Sequence, residues 1–239
     1  MNVVVDLGNS AAKVGIFDHQ NLMEKHSFND QKDLKVFLQS STADNFIISS
    51  VKSEADEIAE WPLVNGKRLI LRHTLPLPLT NLYKTPATLG VDRIAGVAGG
   101  KQLFPFNNCL VIDAGTCITF DFIDKDGNYR GGAISPGLRM RFQAVHTFTA
   151  RLPLISPIET PELIGDSTET CIQSGVINGL VAELDGIIEQ YRMKFGDLQV
   201  ILCGGDARFF ENKLKASIFA SPDLVLVGLN SILIYNVNL

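Results

Sequence analysis

Paired metal-binding side chains are missing from this sequence. Its four cysteines, Cys109, Cys117, Cys171 and Cys203, form no CxxC, and its four histidines, His19, His26, His73 and His146, show no HxxH or HxxxH spacing. No zinc site is expected. Each cysteine has aliphatic neighbours and reads as a small buried hydrophobe in a reducing cytoplasm. No apolar run approaches the about 18 uninterrupted residues that mark a membrane span. The opening Met1-Asn2-Val3-Val4-Val5-Asp6 has no basic stretch ahead of its apolar residues, so no secretory signal is expected. Basic charge is not in excess either. The chain has 21 Lys and Arg against 26 Asp and Glu, a formal net charge of −5. That balance argues against nucleic acid or an anionic membrane as a partner, but leaves room for a local pocket that takes a small anion. What is present is ordinary globular composition: 239 residues, 46% hydrophobic and 20% charged, enough for one large domain or two small ones.

Hydrophobic periodicity outlines the elements. Val3 to Val5 reads as a buried strand, Asp6 to Ser10 as a turn, and Ala12 to Phe17 as a returning strand, with a second turn at Asp18-His19-Gln20-Asn21. Asp30 to Leu38 reads as a helix with Asp30 or Asp33 near its start, and Asn45 to Val51 as another strand. Leu75 to Pro86 carries Pro76, Pro78 and Pro86, so it reads as an extended loop. Val91 to Phe104 is a helix rich in small residues, which permit close packing. Cys109 to Ile112, the turn Asp113-Ala114-Gly115-Thr116, and Ile118 to Ile123 then repeat the opening of the chain, down to the acidic turn Asp124 to Asn128. Such a repeat implies two related lobes, 1–105 and 106–239. Helical pattern runs from Leu138 to about Phe148. A longer helix follows from Thr168 to Tyr191, with Ile172, Val176, Leu180, Leu184 and Ile187 on one face. Gln199 to Leu202 reads as a strand, and Leu224 to Val227 as a last strand before an apolar C-terminal helix.

Four segments carry chemistry. In Asp6-Leu7-Gly8-Asn9-Ser10-Ala11-Ala12-Lys13 a glycine turn lets backbone N–H groups approach a phosphate, with Asn9 and Ser10 as polar contacts. Asp6 is suited to Mg²⁺ and Lys13 to phosphate charge. The same residues also describe a plain hairpin with a solvated lysine. Asp113-Ala114-Gly115-Thr116 repeats the device, and the pair is more specific than either alone, since two such turns are suited to clamp one nucleotide with its metal. Gly90-Val91-Asp92-Arg93 sets an acid and an arginine where a loop enters a helix. A carboxylate there accepts a proton from a hydroxyl, and an arginine forks a carboxylate. The segment equally reads as a helix cap, Asp92, beside a surface arginine. Gly204-Gly205 after an apolar strand leaves room for adenine or ribose on the backbone, or is simply a tight turn.

Together these motifs resemble the phosphate motifs of the acetate and sugar kinase/Hsp70/actin superfamily. The segments Pro86-Ala87-Thr88-Leu89-Gly90-Val91-Asp92-Arg93, Gly131-Gly132-Ala133-Ile134-Ser135-Pro136-Gly137 and Thr168-Glu169-Thr170-Cys171-Ile172-Gln173-Ser174-Gly175 narrow the resemblance to type III pantothenate kinases. It runs from Met1 to the C-terminal helix. Ser10 stands where that family commonly has threonine, and Cys117 where it commonly has alanine. The resemblance implies an α/β fold of two ribonuclease-H-like, actin-like ATPase lobes, each a mixed sheet with flanking helices and a cleft between them. It implies ATP-dependent phosphorylation of pantothenate to 4′-phosphopantothenate, which opens coenzyme A synthesis. It also implies Mg²⁺, a monovalent cation (K⁺ or NH₄⁺), a homodimer and a cytoplasmic location. By position, Asp92 is the base. Asp6, Leu7, Gly8, Asn9, Ser10, Ala11, Ala12 and Lys13 line the ATP phosphates, with Thr116 a second phosphate contact and Gly204 and Gly205 as further ATP contacts. Asp6 holds Mg²⁺ and Asp113 sits at the monovalent-cation site. Tyr83, Gly90, Val91, Asp92, Arg93 and Thr168 contact pantothenate. The alternatives are a non-catalytic regulatory protein of the same fold, or a kinase for another small hydroxy acid.

Overall fold

The computed structural model describes residues 1–8, 11–50 and 54–239. Two compact units emerge from it: Met1–Phe106 with Ile123–Gly131 and Asp223–Leu239, and Asn107–Phe122 with Gly132–Pro222.

The first part of the chain forms β1 (Asn2–Leu7), β2 (Ala12–Asp18), β3 (Asn21–Phe28), α1 (Gln31–Ser40), β4 (Thr42–Ala43) and β5 (Asn45–Ser50). It continues with α2 (Ala55–Ala59), β6 (Leu63–Val64), β7 (Arg68–Ile70), β8 (Thr80–Asn81) and α3 (Val91–Leu103). The expected meander is present: β1 pairs antiparallel with β2, and β2 antiparallel with β3. On its other side β1 takes β5, and β5 takes β7, both in parallel. The resulting sheet has the order β3-β2-β1-β5-β7. Asp30 caps α1 by accepting from the Lys32 N–H at 2.8 Å. Strand alternation turns Val3, Val5 and Leu7 to one face, where they pack with Leu34, Leu38, Phe46 and Ile58. The proline-bearing segment read as a loop does contain a short strand: β8 pairs in parallel with Asn128 and Tyr129.

The second unit draws on β9 (Asn108–Ala114), β10 (Cys117–Ile123), β11 (Asn128–Pro136), α4 (Leu138–Thr147) and α5 (Thr168–Phe195). It ends with β12 (Leu198–Cys203), α6 (Ala207–Glu211) and β13 (Phe219–Ala220). Its strand order, β11-β10-β9-β12-β13, repeats that of the first sheet, and β12 again joins the first strand of its own set, β9, in parallel. Each sheet is therefore ribonuclease-H-like, and the repeat read in the sequence is a repeat of topology. Residues Gly131–Gly137, read only as a motif, largely belong to strand β11. The run is glycine-rich because a Cβ on Gly132 would strike the Phe120 carbonyl of the neighbouring strand. Helix α5 opens on a capping box between Ser167 and Thr170. Among the described residues it alone is long and apolar enough by length and composition to cross a membrane. Its stripe is packed instead into the second unit's core, with Leu180, Leu184 and Ile188 fully buried. Ile188 takes the buried place expected of Ile187, which is only partly covered.

Two expectations need correction. Leu224–Val227 is not a strand but the first turn of α7 (Leu224–Val237). A short apolar run has the same signature in a buried strand and in a buried helix, and α7 is apolar on all sides because it is enclosed. It also belongs with the first unit, although the sequence reading grouped it with the second half. The reason is close packing: a Cβ on Gly228 would run into the Ala95 carbonyl of α3, and one on Gly99 into the Leu224 carbonyl of α7. Cysteine is the other correction. Cys109 and Cys203 are buried, Cys117 is partly covered, and Cys171, in the first turn of α5, is exposed.

A chain of amide hydrogen bonds, buried at its Asn2–Asn230 link, crosses the first unit. The Lys67 N–H donates to Asn45 Oδ1, Asn45 Nδ2 to Asn2 Oδ1, Asn2 Nδ2 to Asn230 Oδ1, and Asn230 Nδ2 to the His19 carbonyl, at 3.0, 3.1, 3.0 and 2.8 Å. It ends on the carbonyl of His19, which lies in the β2–β3 turn at φ 53°, an unusual conformation for a residue with a side chain.

Gly228→Ala is expected to destabilise the protein by roughly 1–3 kcal/mol through overpacking. Gly179→Ala, in α5, where a new Cβ meets nothing within 4 Å, should be neutral or stabilising by up to about 1 kcal/mol. Thermal unfolding of both variants checks the contrast.

Candidate active site

In the first unit, Asp6 stands near the end of β1 with a partner strand on each side. Lys13 of β2 lies directly opposite it in register, and Ser49 of β5 opposite it on the other side. The buried Ser49 hydroxyl donates to Asp6 Oδ1 at 2.8 Å. The turn beyond closes through the Gly8 N–H to the Ala11 carbonyl at 3.2 Å. Burial pushes the Asp6 carboxyl above its ordinary value. The Ser49 hydrogen bond and Lys13 pull it back, and the negative charge of Asp92 pushes it further up. Lys13 and Asp92 therefore both act electrostatically on Asp6. Leu7 is buried. Asn9 and Ser10 lie outside the described residues.

Gly90 is the N-cap of α3 and Val91 its first residue, so Asp92 is not the cap. The Asp92 carboxylate folds back on its own turn. Oδ1 accepts from the Arg93 N–H at 2.9 Å, and a Cβ on Gly90 would strike that same oxygen. The surface-arginine reading does not hold. Arg93 is only 8% exposed and sets its guanidinium 5.7 Å from the Tyr83 ring centroid, within cation–π range. Tyr83 and Arg93 thus meet beside Gly90 and Asp92 in the first unit, and the charge of Asp92 acts on Asp6.

In the second unit, Asp113 lies in β9 just before the turn Gly115-Thr116. Register pairs it with Cys203 of β12, so the Gly204-Gly205 turn arrives beside it. Gly204 has φ +95°, and a Cβ there would strike Asp113 Oδ1. The Asp206 N–H donates to the Ala114 carbonyl at 2.8 Å, tying the two turns together. Burial pushes the Asp206 carboxyl up, and Arg139 draws it partly back. Thr116 is exposed, and its carbonyl accepts from the Gly137 N–H at 3.2 Å. Thr168 is exposed at the start of α5.

Sequence reasoning missed Ser49, Asp206 and Arg139. A serine closing the apolar run Phe46-Ile47-Ile48 was the available signal for Ser49, since a buried hydroxyl needs a partner. Among the described residues no three His, Cys, Asp or Glu side chains converge as a metal cage. A single carboxylate such as Asp6 nevertheless fits Mg²⁺, which commonly takes one or two protein carboxylates and completes its shell with substrate phosphates and water.

A family model described as type III pantothenate kinase matches residues 2–190. The type III pantothenate kinase of Christiangramia forsetii is 45% identical over 249 residues, covering 99% of this chain and 99% of the relative. Among solved structures, a Baf family protein of Campylobacter jejuni matches with TM-score 0.64 at 21% identity, over 99% of this chain and 100% of the other. The activator of the 2-hydroxyisocaproyl-CoA dehydratase of Clostridium difficile, solved with bound ADPNP, matches with TM-score 0.52 at 10% identity, over 99% and 94% of the two chains. At such identities the structural likeness shows the fold alone, the actin-like ATPase fold. The match of sequence over nearly the whole length goes further: the chain belongs to the type III pantothenate kinase family.

Proposed function

We propose that this chain phosphorylates pantothenate with ATP, giving 4′-phosphopantothenate in the opening step of coenzyme A synthesis. The observation that carries the residue assignment is Lys13 standing opposite Asp6 in register, and the charge of Asp92, which raises the Asp6 carboxyl, supports it. Asp92 receives the proton of the primary hydroxyl as that oxygen attacks the γ-phosphorus in line. Lys13 and the turn at Gly8, Ala11 and Ala12 line the phosphates, with Asn9 and Ser10 assigned there from the sequence. Thr116 makes a second phosphate contact, and the Gly204-Gly205 turn takes the adenine or ribose. Arg93 receives the pantothenate carboxylate, with Tyr83, Gly90, Val91 and Thr168 around the acceptor. Asp6 would hold Mg²⁺, which when bound would supply neutralisation of phosphate charge. Asp113 provides a hard oxygen for K⁺ or NH₄⁺. The transition state of phosphoryl transfer is loose, so positioning and electrostatics outweigh base strength. A homodimer in the cytoplasm completes the reading, on the family resemblance.

The reading is tested by ADP release with ATP, Mg²⁺ and pantothenate in K⁺, NH₄⁺ and Na⁺ buffers. Turnover that needs pantothenate and is weak in Na⁺ is the expected result. A folded protein that binds ATP but turns over in no buffer would favour the non-catalytic alternative or a kinase for another small hydroxy acid.

Asp92→Asn should lower kcat by about 10²-fold or more, with the fold retained by circular dichroism; full activity would remove Asp92 from the role of base. Asp6 yields a prediction about pH. Its folded-state carboxyl titrates above the ordinary 3.8, so the folded chain keeps this proton after the unfolded chain has released it. The resulting stability is present below that pH and is lost as pH rises through the folded value. Asp6→Asn does not titrate. Its thermal midpoint should therefore gain on the wild type across that window, while its kinase activity falls. A difference in midpoint that does not vary with pH would mean that Asp6 ionises normally.

A further inference from the structure

The motif Gly131-Gly132 has no role in the chemistry above, yet its first glycine lies against a residue assigned to the acceptor. The backbone leading to Tyr83 is pinned to β11: the Thr80 N–H donates to the Gly127 carbonyl and the Leu82 N–H to the Tyr129 carbonyl, each at 2.9 Å. The Tyr83 N–H itself donates to Asn81 Oδ1 at 3.0 Å. With its main chain held this way, the Tyr83 ring is directed by what it meets. One neighbour is the Tyr129 ring, fully buried and stacked nearly parallel, at 9° and 6.2 Å between centroids. Another is the bare backbone of Gly131, at φ +87°. A Cβ there would lie 3.0 and 3.1 Å from two carbons of the Tyr83 ring, closer than ordinary packing allows. The Arg93 guanidinium in turn rests 5.7 Å from that ring's centroid.

We propose that Gly131 and Tyr129 are positioning residues for the acceptor site: they fix the Tyr83 ring, and through it the Arg93 guanidinium that receives the acceptor carboxylate. The inference rests on the proposed acceptor role of Tyr83 and Arg93. Neither Gly131 nor Tyr129 needs to touch the substrate. A side chain at Gly131 pushes the ring away, and loss of the Tyr129 ring removes the platform on which it stacks. Both changes should weaken pantothenate binding and leave the nucleotide half of the reaction alone.

The test measures KM for pantothenate and for ATP, and kcat, in wild type, Gly131→Ala, Tyr83→Ala and the double variant. Gly131→Ala should raise the pantothenate KM by about 10-fold or more, inside the roughly 10²-fold that a 1 Å misplacement can produce. The KM for ATP should change by less than about 2-fold. On the Tyr83→Ala background the same substitution should add little, because residues acting through one another are non-additive. An equal effect on both backgrounds, or parallel rises in both KM values, overturns the proposal. If Gly131→Ala does not fold, Tyr129→Leu and Tyr129→Phe decide: the ring-retaining variant keeps a near-wild-type pantothenate KM and the leucine variant raises it. A normal pantothenate KM in Tyr129→Leu overturns the proposal. A wild-type protein without pantothenate-dependent turnover overturns the acceptor assignment itself, and this inference with it.

Discussion

Helix α3 lies against α7 at a distance that only bare backbone allows. Gly99 on one helix and Gly228 on the other meet a carbonyl of the partner, and neither position has room for a methyl group. Much of the first unit follows from this approach. With α7 enclosed, α3 is held along its length, and the buried run from Arg93 to Gly100 shows how little of it reaches solvent. The N-terminus of α3 carries Asp92 and Arg93, so packing near Gly99 determines where an acid and a guanidinium stand. An arginine that is 8% exposed is expensive to bury without partners. Here the Tyr83 ring supplies one, and the same ring ties the arginine to the strand that carries Tyr129.

The two sheets show how one topology serves two tasks. In each, an aspartate near the end of the first strand is followed by a glycine turn. In each, the strand joined to it in parallel brings a second group alongside: Ser49 beside Asp6, and the Gly204-Gly205 turn beside Asp113. The surroundings then diverge. Asp6 has a lysine and a hydroxyl as neighbours, and still titrates high because burial outweighs both. Asp113 instead lies against the bare backbone of Gly204. The repeated topology sets the location of each acid, and the neighbouring side chains set its chemistry.

Much of this was legible in the sequence, and the reasons are local. A β-strand's period, a glycine turn after an acid, an aspartate at a helix start and a small-residue helix are each decided by a few consecutive residues, and each appears where it was expected. The failures share a different cause. Leu224–Val227 was read as a strand because four apolar residues have no period, and only enclosure by neighbouring elements made the segment a helix. Gly131–Gly137 was left as a motif because its glycines mask a strand. Arg93 read as well as a surface residue as a buried one, since nothing in the adjacent sequence reveals an aromatic ring ten residues upstream turning towards it.

By itself, the sequence determined the two acid–glycine turns, the doubled strand pattern, the close-packing helix and the family to which these motifs belong. All of these rest on interactions between residues near one another in the chain, or on motifs that a family shares in order. Tertiary structure alone decided that Ser49 bonds Asp6, that Asp206 ties the turn after Gly204-Gly205 to Ala114, and that Tyr129 and Gly131 frame Tyr83. These pairs are separated by tens of residues, and their meeting depends on strand order and register. Register brings together residues whose spacing in the chain carries no periodic signal, so no local pattern announces them.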